Sequence, residues 1–270
     1  MFRPPIGAVW GWTQVALARN STETLTQGTA LVLSPHPDDE TIGCGLLLAR
    51  KAQNGHGTTV ILATDGDRGW FSSMPRPEPE AIVQIRHREW HRALDVLAVP
   101  KESRFTLGIP DGALCDHEEE AAKRIGDLLR NLSPAQVFVT KPHDAHPDHQ
   151  VLARATRRAV IDVYGSSAGP EGHSSPAVYH YRVYPGEGIW PGDRPSQPTV
   201  AMTLRQFARS AIGLIRRRPL VLRASSAKSD KAAAIAAYES QRRLLDGELR
   251  YVWRTGVELY WKMDLSDPSG

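Results

Sequence analysis

Residues 35–40, Pro-His-Pro-Asp-Asp-Glu, set one imidazole beside three consecutive carboxylates. Adjacent carboxylates repel at neutral pH, so such a cluster is costly unless a positive charge is held among them. A second cluster, His-Asp-Ala-His-Pro-Asp-His, spans 143–149. Together the two offer His36, Asp38, Asp39, His146, Asp148 and His149. Two imidazoles and a carboxylate with one position left for water make a recurring catalytic zinc shell, whereas magnesium and calcium favour oxygen ligands alone. A carboxylate left over beside such an ion can take a proton from water acidified by the cation. The spare one is Asp38 or Asp148. A lone His-Pro-Asp segment reads more simply as a turn with an aspartate near a helix start. Two clusters at equivalent ends of separate strands favour a metal site.

These clusters need elements that bring them together. The run "ALVLS" (30–34) predicts a strand, and apolar spacing over 42–53 predicts the helix that follows it. Further strands are expected at 58–64, 104–108, 136–140 and 177–184, with a strand "LVLRAS" starting at 220. Helices are expected at 80–98, 116–132 and 149–164, and one continuous helix over 226–245. The 116–132 helix opens on Asp116, Glu118, Glu119 and Glu120, which suit the positive end of its dipole. The segment 185–200, rich in Gly and Pro, reads as an irregular loop, and 203–218 as a basic amphipathic stretch. Alternating strands and helices imply a mostly parallel sheet covered on both faces, the α/β class. In such sheets ligands bind beyond the carboxyl ends of the strands, and both polar clusters follow strands there.

Bulk properties narrow the alternatives. With 270 residues, 41% of them hydrophobic and 23% charged, the chain suits one globular domain over 29–270, preceded by a leader (1–28) of uncertain structure. The formal charge of +3 gives no argument for a nucleic-acid partner. Neither a signal peptide nor a stretch of about 20 apolar residues is read, so integral membrane association is not expected. Cys44 and Cys115 lack CxxC spacing, which fits a reducing cytoplasm. The oligomeric state is not encoded in any pattern found.

"PHPDDE" followed downstream by "HPDH" on this strand order resembles the LmbE/PIG-L family of zinc-dependent de-N-acetylases. The similarity runs over about 29–184, with weaker support from "KAAAIAAYESQ" (231–241). The resemblance implies a Rossmann-like three-layer sandwich, here a single domain with a C-terminal extension. It also implies a Zn2+ cofactor held by His36, Asp39 and His149, with Asp38 as general base. His146 would stabilise or protonate developing charge, and Glu40 and Asp148 would orient the loops and ligands. The implied substrate is a small N-acetylated sugar conjugate.

Three further segments resemble loops around such a site. "TDGDRG" (64–69) carries Asp67 where relatives have glutamate, and Arg68 as a candidate sugar contact. Arg86, a further candidate substrate contact, and Glu89 match an R-x-x-E pattern whose simpler reading is an intrahelical ion pair. "GIPDG" (108–112) offers Asp111 to the pocket, against the simpler reading of a Pro-Asp-Gly turn. His56, His87, His91, His117, His173 and His180 read as structural or solvated. Trp70, Trp190, Trp253 and Trp261 read as packing residues rather than sugar platforms. Two other functions stay open. One is an amidase cleaving a larger acyl or thiol-conjugate amide at the same metal. The other is a non-catalytic α/β binding module, which is weakened because "TIGCG" is neither a G-x-G-x-x-G fingerprint nor a phosphate loop.

Overall fold

The apolar runs lie side by side as parallel strands. The computed structural model describes residues 14–165, 174–183, 218–246 and 254–266. Among them are strands β1 (Arg19–Asn20), β2 (Ala30–Ser34), β3 (Thr58–Thr64), β4 (Arg104–Ile109), β5 (Gln136–Thr140), β6 (Ala177–Tyr181), β7 (Leu220–Arg223) and β8 (Val257–Lys262). They form one sheet in the order β1-β7-β8-β6-β5-β2-β3-β4. Only β8 runs against its neighbours.

Each central strand is buried on both faces, which is why it reads as an uninterrupted apolar run. Val32, Val60, Leu62 and Phe138 point into one core, with helices α1 (Asp39–Gln53), α2 (Pro79–Val96) and α5 (Lys228–Ala236) packed over them. Leu31, Leu33, Ile61, Val137 and Val139 point into the other, under α3 (Glu118–Leu132) and α4 (Pro147–Tyr164). The result is the three-layer α/β sandwich expected. From β2 the chain steps outward through β3 to β4, and β5 then returns to the opposite flank of β2. Strand order reverses between β2 and β5, so their carboxyl ends leave a crevice. The first polar cluster follows β2 and the second follows β5; the topology alone makes them neighbours.

Several boundaries differ from expectation. Helix α1 begins at Asp39 rather than 42, placing Asp39 and Glu40 in its first turn. Helix α4 begins at Pro147, a residue suited to the first helical position because it lacks an N–H. The continuous helix expected over 226–245 is broken: α5 stops at Ala236, and short turns at Glu239–Gln241 and Arg242–Asp246 follow. The break turns Tyr238 inward, and its hydroxyl donates to Glu40 at 2.5 Å. β8 escaped sequence reading because its core-facing positions include the buried Glu258 beside Tyr260, which spoils the apolar alternation. Within the segment read as a leader, β1 pairs with β7 and Leu25 is fully buried. The loop 185–200, residues 203–217, His173, Trp190 and Trp253 lie outside the described residues. Cys44 and Cys115 are both unpaired. Among the described residues, no helix is long and apolar enough to cross a membrane.

Helix α1 is tied down along its length. A Cβ on Gly43 would meet the Tyr181 ring at 2.2 Å, and one on Gly45 would meet the Lys231 stem at 2.9 Å. The Lys231 ammonium donates to the Ile42 carbonyl at 2.6 Å and to Glu258 at 2.7 Å. Glu258 also accepts from the N–H groups of Leu46 and Leu47 at 2.7 and 3.0 Å. At the far end, the buried Lys51 ammonium donates to the carbonyls of Gln27 and Gly28, both at 2.8 Å. Burial pushes the Lys51 ammonium down to about 8. Lys51→Met keeps the apolar stem but strips both carbonyls of their donor, and is expected to lower stability by about 1–2 kcal/mol, measured by urea unfolding.

Candidate metal centre

The turn after β2 is built around Glu40, which is fully buried. Glu40 Oε2 lies 2.9 Å from Ser34 Oγ and accepts weakly from the Asp38 N–H at 3.4 Å, while Oε1 accepts from Thr41 at 2.6 Å and Tyr238 at 2.5 Å. Burial raises its carboxyl above the usual range, with the Thr41 and Tyr238 hydrogen bonds opposing. Asp38 occupies a strained backbone position, φ 135°. A non-glycine residue persists in such a position only where its surroundings over-determine it, commonly at functional sites.

Three donor atoms converge at the crevice. His36 Nδ1 and His149 Nε2 each lie 3.1 Å from Asp39 Oδ2, and the two nitrogens are 3.3 Å apart. A tetrahedral shell with bonds of about 2.0–2.1 Å has edges of about 3.3–3.4 Å, so this triangle matches one face of a zinc-like site. The far nitrogens are held by carboxylates: His36 Nε2 lies 3.2 Å from Asp148 and 3.4 Å from Asp111, and His149 Nδ1 lies 2.9 Å from Asp144. Carboxylates behind ligating imidazoles are the usual means of fixing ring orientation and tautomer. His146 adds a further nitrogen, and His36, His146 and His149 can present ligand atoms within 4.8 Å of one another.

The electrostatics of this cluster demand positive charge. Burial by itself would raise Asp39, but the charge of His149 and hydrogen bonds from His149 and His36 hold it well below the usual carboxylate range. Burial opposes charging His149, yet Asp39 and Asp144 raise it to about 10. His36 is likewise raised against burial by Asp111, Asp148 and Asp39. A divalent cation satisfies the same demand as two imidazolium protons and leaves both imidazoles neutral, the form that ligates. The donor set and its buried setting therefore fit a metal ion.

The triangle borders a cleft of about 380 Å³, within the range of small-molecule sites. Asp38 lines it, 3.5 Å from the Arg86 guanidinium. Burial pushes the Asp38 carboxyl up to about 8, with Arg86 opposing and Asp39 and Glu40 adding to the rise. His146 also lines it, its ring centroid 4.5 Å from that of His36. Its Nδ1 accepts the Asp148 N–H at 3.2 Å, and its Nε2 has no hydrogen-bond partner among the described residues. Burial and then the charges of His36 and His149 lower its proton affinity. Asp148 accepts from the N–H groups of Gly112 and Leu114, tying the 108–114 loop to α4.

The remaining sequence candidates separate by position. Asp111 and Arg68 both line the cleft; Arg68 is exposed, with its guanidinium over Gly112. Asp67 is spent on the Asp111 N–H at 2.8 Å, so it staples two loops. Arg86 and Glu89 are buried and turn to different partners rather than to each other. Arg86 donates to the carbonyls of Gly66 and Pro37 at 3.0 and 2.8 Å, and Glu89 accepts the N–H and hydroxyl of Ser240 at 2.8 and 2.6 Å. Sequence reading missed Asp144, Tyr238 and Gln241. Asp144 lies inside the second cluster and was readable there. Gln241 lines the cleft and donates to Gly69 O, but only the broken helix brings it there.

Residues 31–160 match the model of the PIG-L family, described as GlcNAc-PI de-N-acetylase. A 1D-myo-inositol 2-acetamido-2-deoxy-alpha-D-glucopyranoside deacetylase from Kineococcus radiotolerans is 30% identical over 177 residues, 54% of this chain and 48% of that protein. The mycothiol S-conjugate amidase of Streptomyces coelicolor is 24% identical over 178 residues, 59% of this chain and 60% of that protein. The chain thus matches only about half to three-fifths of the length of these relatives. Among solved structures, the conserved protein TT1542 from Thermus thermophilus is 27% identical with a TM-score of 0.57, covering 84% of this chain and 85% of that one.

Proposed function

On the premise that residues 31–160 form a PIG-L (LmbE-like) unit, we propose that this chain is a zinc-dependent cytoplasmic hydrolase that removes the N-acetyl group from a soluble N-acetylglucosamine conjugate. The observation that carries the reading is the donor triangle of His36 Nδ1, Asp39 Oδ2 and His149 Nε2, open to a cleft that also holds Asp38 and His146.

When bound by these three residues, zinc would polarise the acetyl carbonyl and acidify a nearby water. The chain's own groups do the rest. Asp38, raised toward neutrality by burial, takes the proton from the attacking water, a task for which a proton affinity near the working pH is best. His146 donates from Nε2 toward the developing oxyanion, in a position fixed by the bond from the Asp148 N–H. Collapse breaks the C–N bond, releases acetate, and returns a proton from Asp38 or His146 to the departing amine. Asp144 and Asp148 hold the two ligating imidazoles. Arg68 and Asp111 contact sugar hydroxyls at the cleft wall, and Arg86 keeps Asp38 and the Pro37 turn in place.

Chelation tests the reading. Protein loaded with one equivalent of zinc is expected to release acetate from N-acetylglucosaminides, to lose that activity after dialysis against a chelator, and to regain it on zinc addition. Undiminished acetate release from protein verified free of metal would remove the zinc mechanism. The likeness to a mycothiol S-conjugate amidase favours one second reading, the same amide hydrolysis on a larger acyl group. A panel of N-acyl chain lengths separates the two.

A further inference from the structure

The cleft is lined by unlike groups. Asp38, Asp39, Asp111 and two arginines, Arg68 and Arg86, line it together with the apolar Ile42, Phe71 and Leu244. Phe71 is 45% exposed and Met74, three residues on, 58% exposed. They are two of the five exposed large hydrophobic residues among those described; Phe71 lines the polar cleft, whereas Met74 lines a separate depression with Arg242 and Arg243.

That exposure is built in. The Phe71 N–H donates to Ser240 O and the Arg243 N–H donates to Phe71 O, both at 2.9 Å, so the stretch is stitched on both sides to the turn after α5. The Trp70 indole N–H closes the loop on Met74 O at 3.1 Å. The Arg76 guanidinium reaches back to the carbonyls of Arg68 and Asp67 at 3.0 and 3.2 Å. These bonds fix the backbone that carries Phe71, while its ring stays partly exposed as an apolar ledge in the cleft lining. An aromatic side chain kept in water at a pocket mouth regains its hydrophobic free energy only when a ligand covers it.

We propose that this ledge receives an apolar aglycone. The substrates would then be N-acetylglucosaminides carrying an aryl or alkyl group that projects from the sugar toward the mouth of the cleft. The inference rests on the deacetylase reading for its sugar, but the ledge can be tested without turnover. Covering a phenyl-sized group removes enough apolar surface for about a tenfold effect or more. Arg68 argues for an anionic aglycone instead, but as a single exposed guanidinium it lies on the wall with Asp111, whose negative charge offsets it.

Zinc-loaded protein is titrated by calorimetry with phenyl and methyl N-acetylglucosaminides of the same anomer, and acetate release from each is followed in parallel. The phenyl glycoside is expected to bind at least about tenfold more tightly, with the ratio falling toward one in Phe71→Ala. Equal affinities, or a ratio unmoved by Phe71→Ala, would overturn the proposal. So would preference for a carboxylate-bearing glycoside that disappears in Arg68→Ala. Selective binding of the phenyl glycoside with no acetate released would support the ledge and count against the deacetylase reading, so the two can fail separately.

Discussion

Asp38→Asn is expected to retain a full equivalent of zinc and to lose about 10²- to 10⁴-fold in turnover, the usual worth of a positioned acid–base group. Asparagine keeps the shape and volume of the side chain, so the strained backbone at φ 135° meets no new steric demand. What disappears is the ability to hold a proton. Asp38 is not part of the donor triangle, whose atoms belong to His36, Asp39 and His149. The contrast is His149→Ala, which removes one corner of that triangle and leaves Asp144 and Asp39 facing each other without the imidazole between them. That variant is expected to purify without metal. Metal analysis and acetate release on both proteins decide the assignment. Full activity in Asp38→Asn would remove it as the base, and an unaltered zinc content in His149→Ala would remove the triangle as the metal site.

The second large effect is on stability. Lys231→Met is expected to lower it by about 3–5 kcal/mol, because removing one partner of a buried ion pair leaves the other charge uncompensated. Lys231 and Glu258 are both almost fully buried, 2.7 Å apart. Glu258 would keep the N–H groups of Leu46 and Leu47 and the Tyr260 hydroxyl but lose its only cationic partner among the described residues. The Ile42 carbonyl would lose the ammonium as well. Adding Glu258→Gln to Lys231→Met should then cost much less than Glu258→Gln alone, since residues in one buried network are not additive. Urea unfolding of the two single variants and the double variant gives the cycle. A loss below about 1 kcal/mol for Lys231→Met would place the pair among those contributing little. Ile42 lies three residues beyond Asp39, so the same network anchors the helix whose first turn carries Asp39, the proposed metal ligand.

Much of the fold was legible because the central strands are buried on both faces. Short continuous apolar runs, Ala30 to Leu33 and Val137 to Val139, bounded by polar residues and loops, read as buried strands. Strand β8 and the break after α5, which escaped sequence reading, have a common cause. β8 places Glu258 in the core, and the helix after Lys228 gives way at Tyr238 and Ser240; both exceptions exist to hold polar side chains at or behind the site. Hydrophobic periodicity registers apolar burial only, so an element that buries a carboxylate is invisible to it. The same reason explains Arg86 and Glu89, whose spacing allowed an intrahelical ion pair. They lie on the buried stripe of α2, and each serves a different loop.

The amino-acid order alone determined which groups are available for chemistry: one imidazole and three carboxylates after the first core strand, and a second histidine-rich turn after a later one. It also determined that those turns end parallel strands. Tertiary structure alone decided that the two strands are neighbours, that His36 turns Nδ1 toward Asp39 and Nε2 toward Asp148 and Asp111, that Asp144 stands behind His149, and that Gln241, Leu244 and Phe71 complete the cleft. Chain connectivity specifies what each segment can become, whereas donor geometry depends on distances between segments more than 100 residues apart. Those distances are set by strand order and by polar groups that packing forces into pairs.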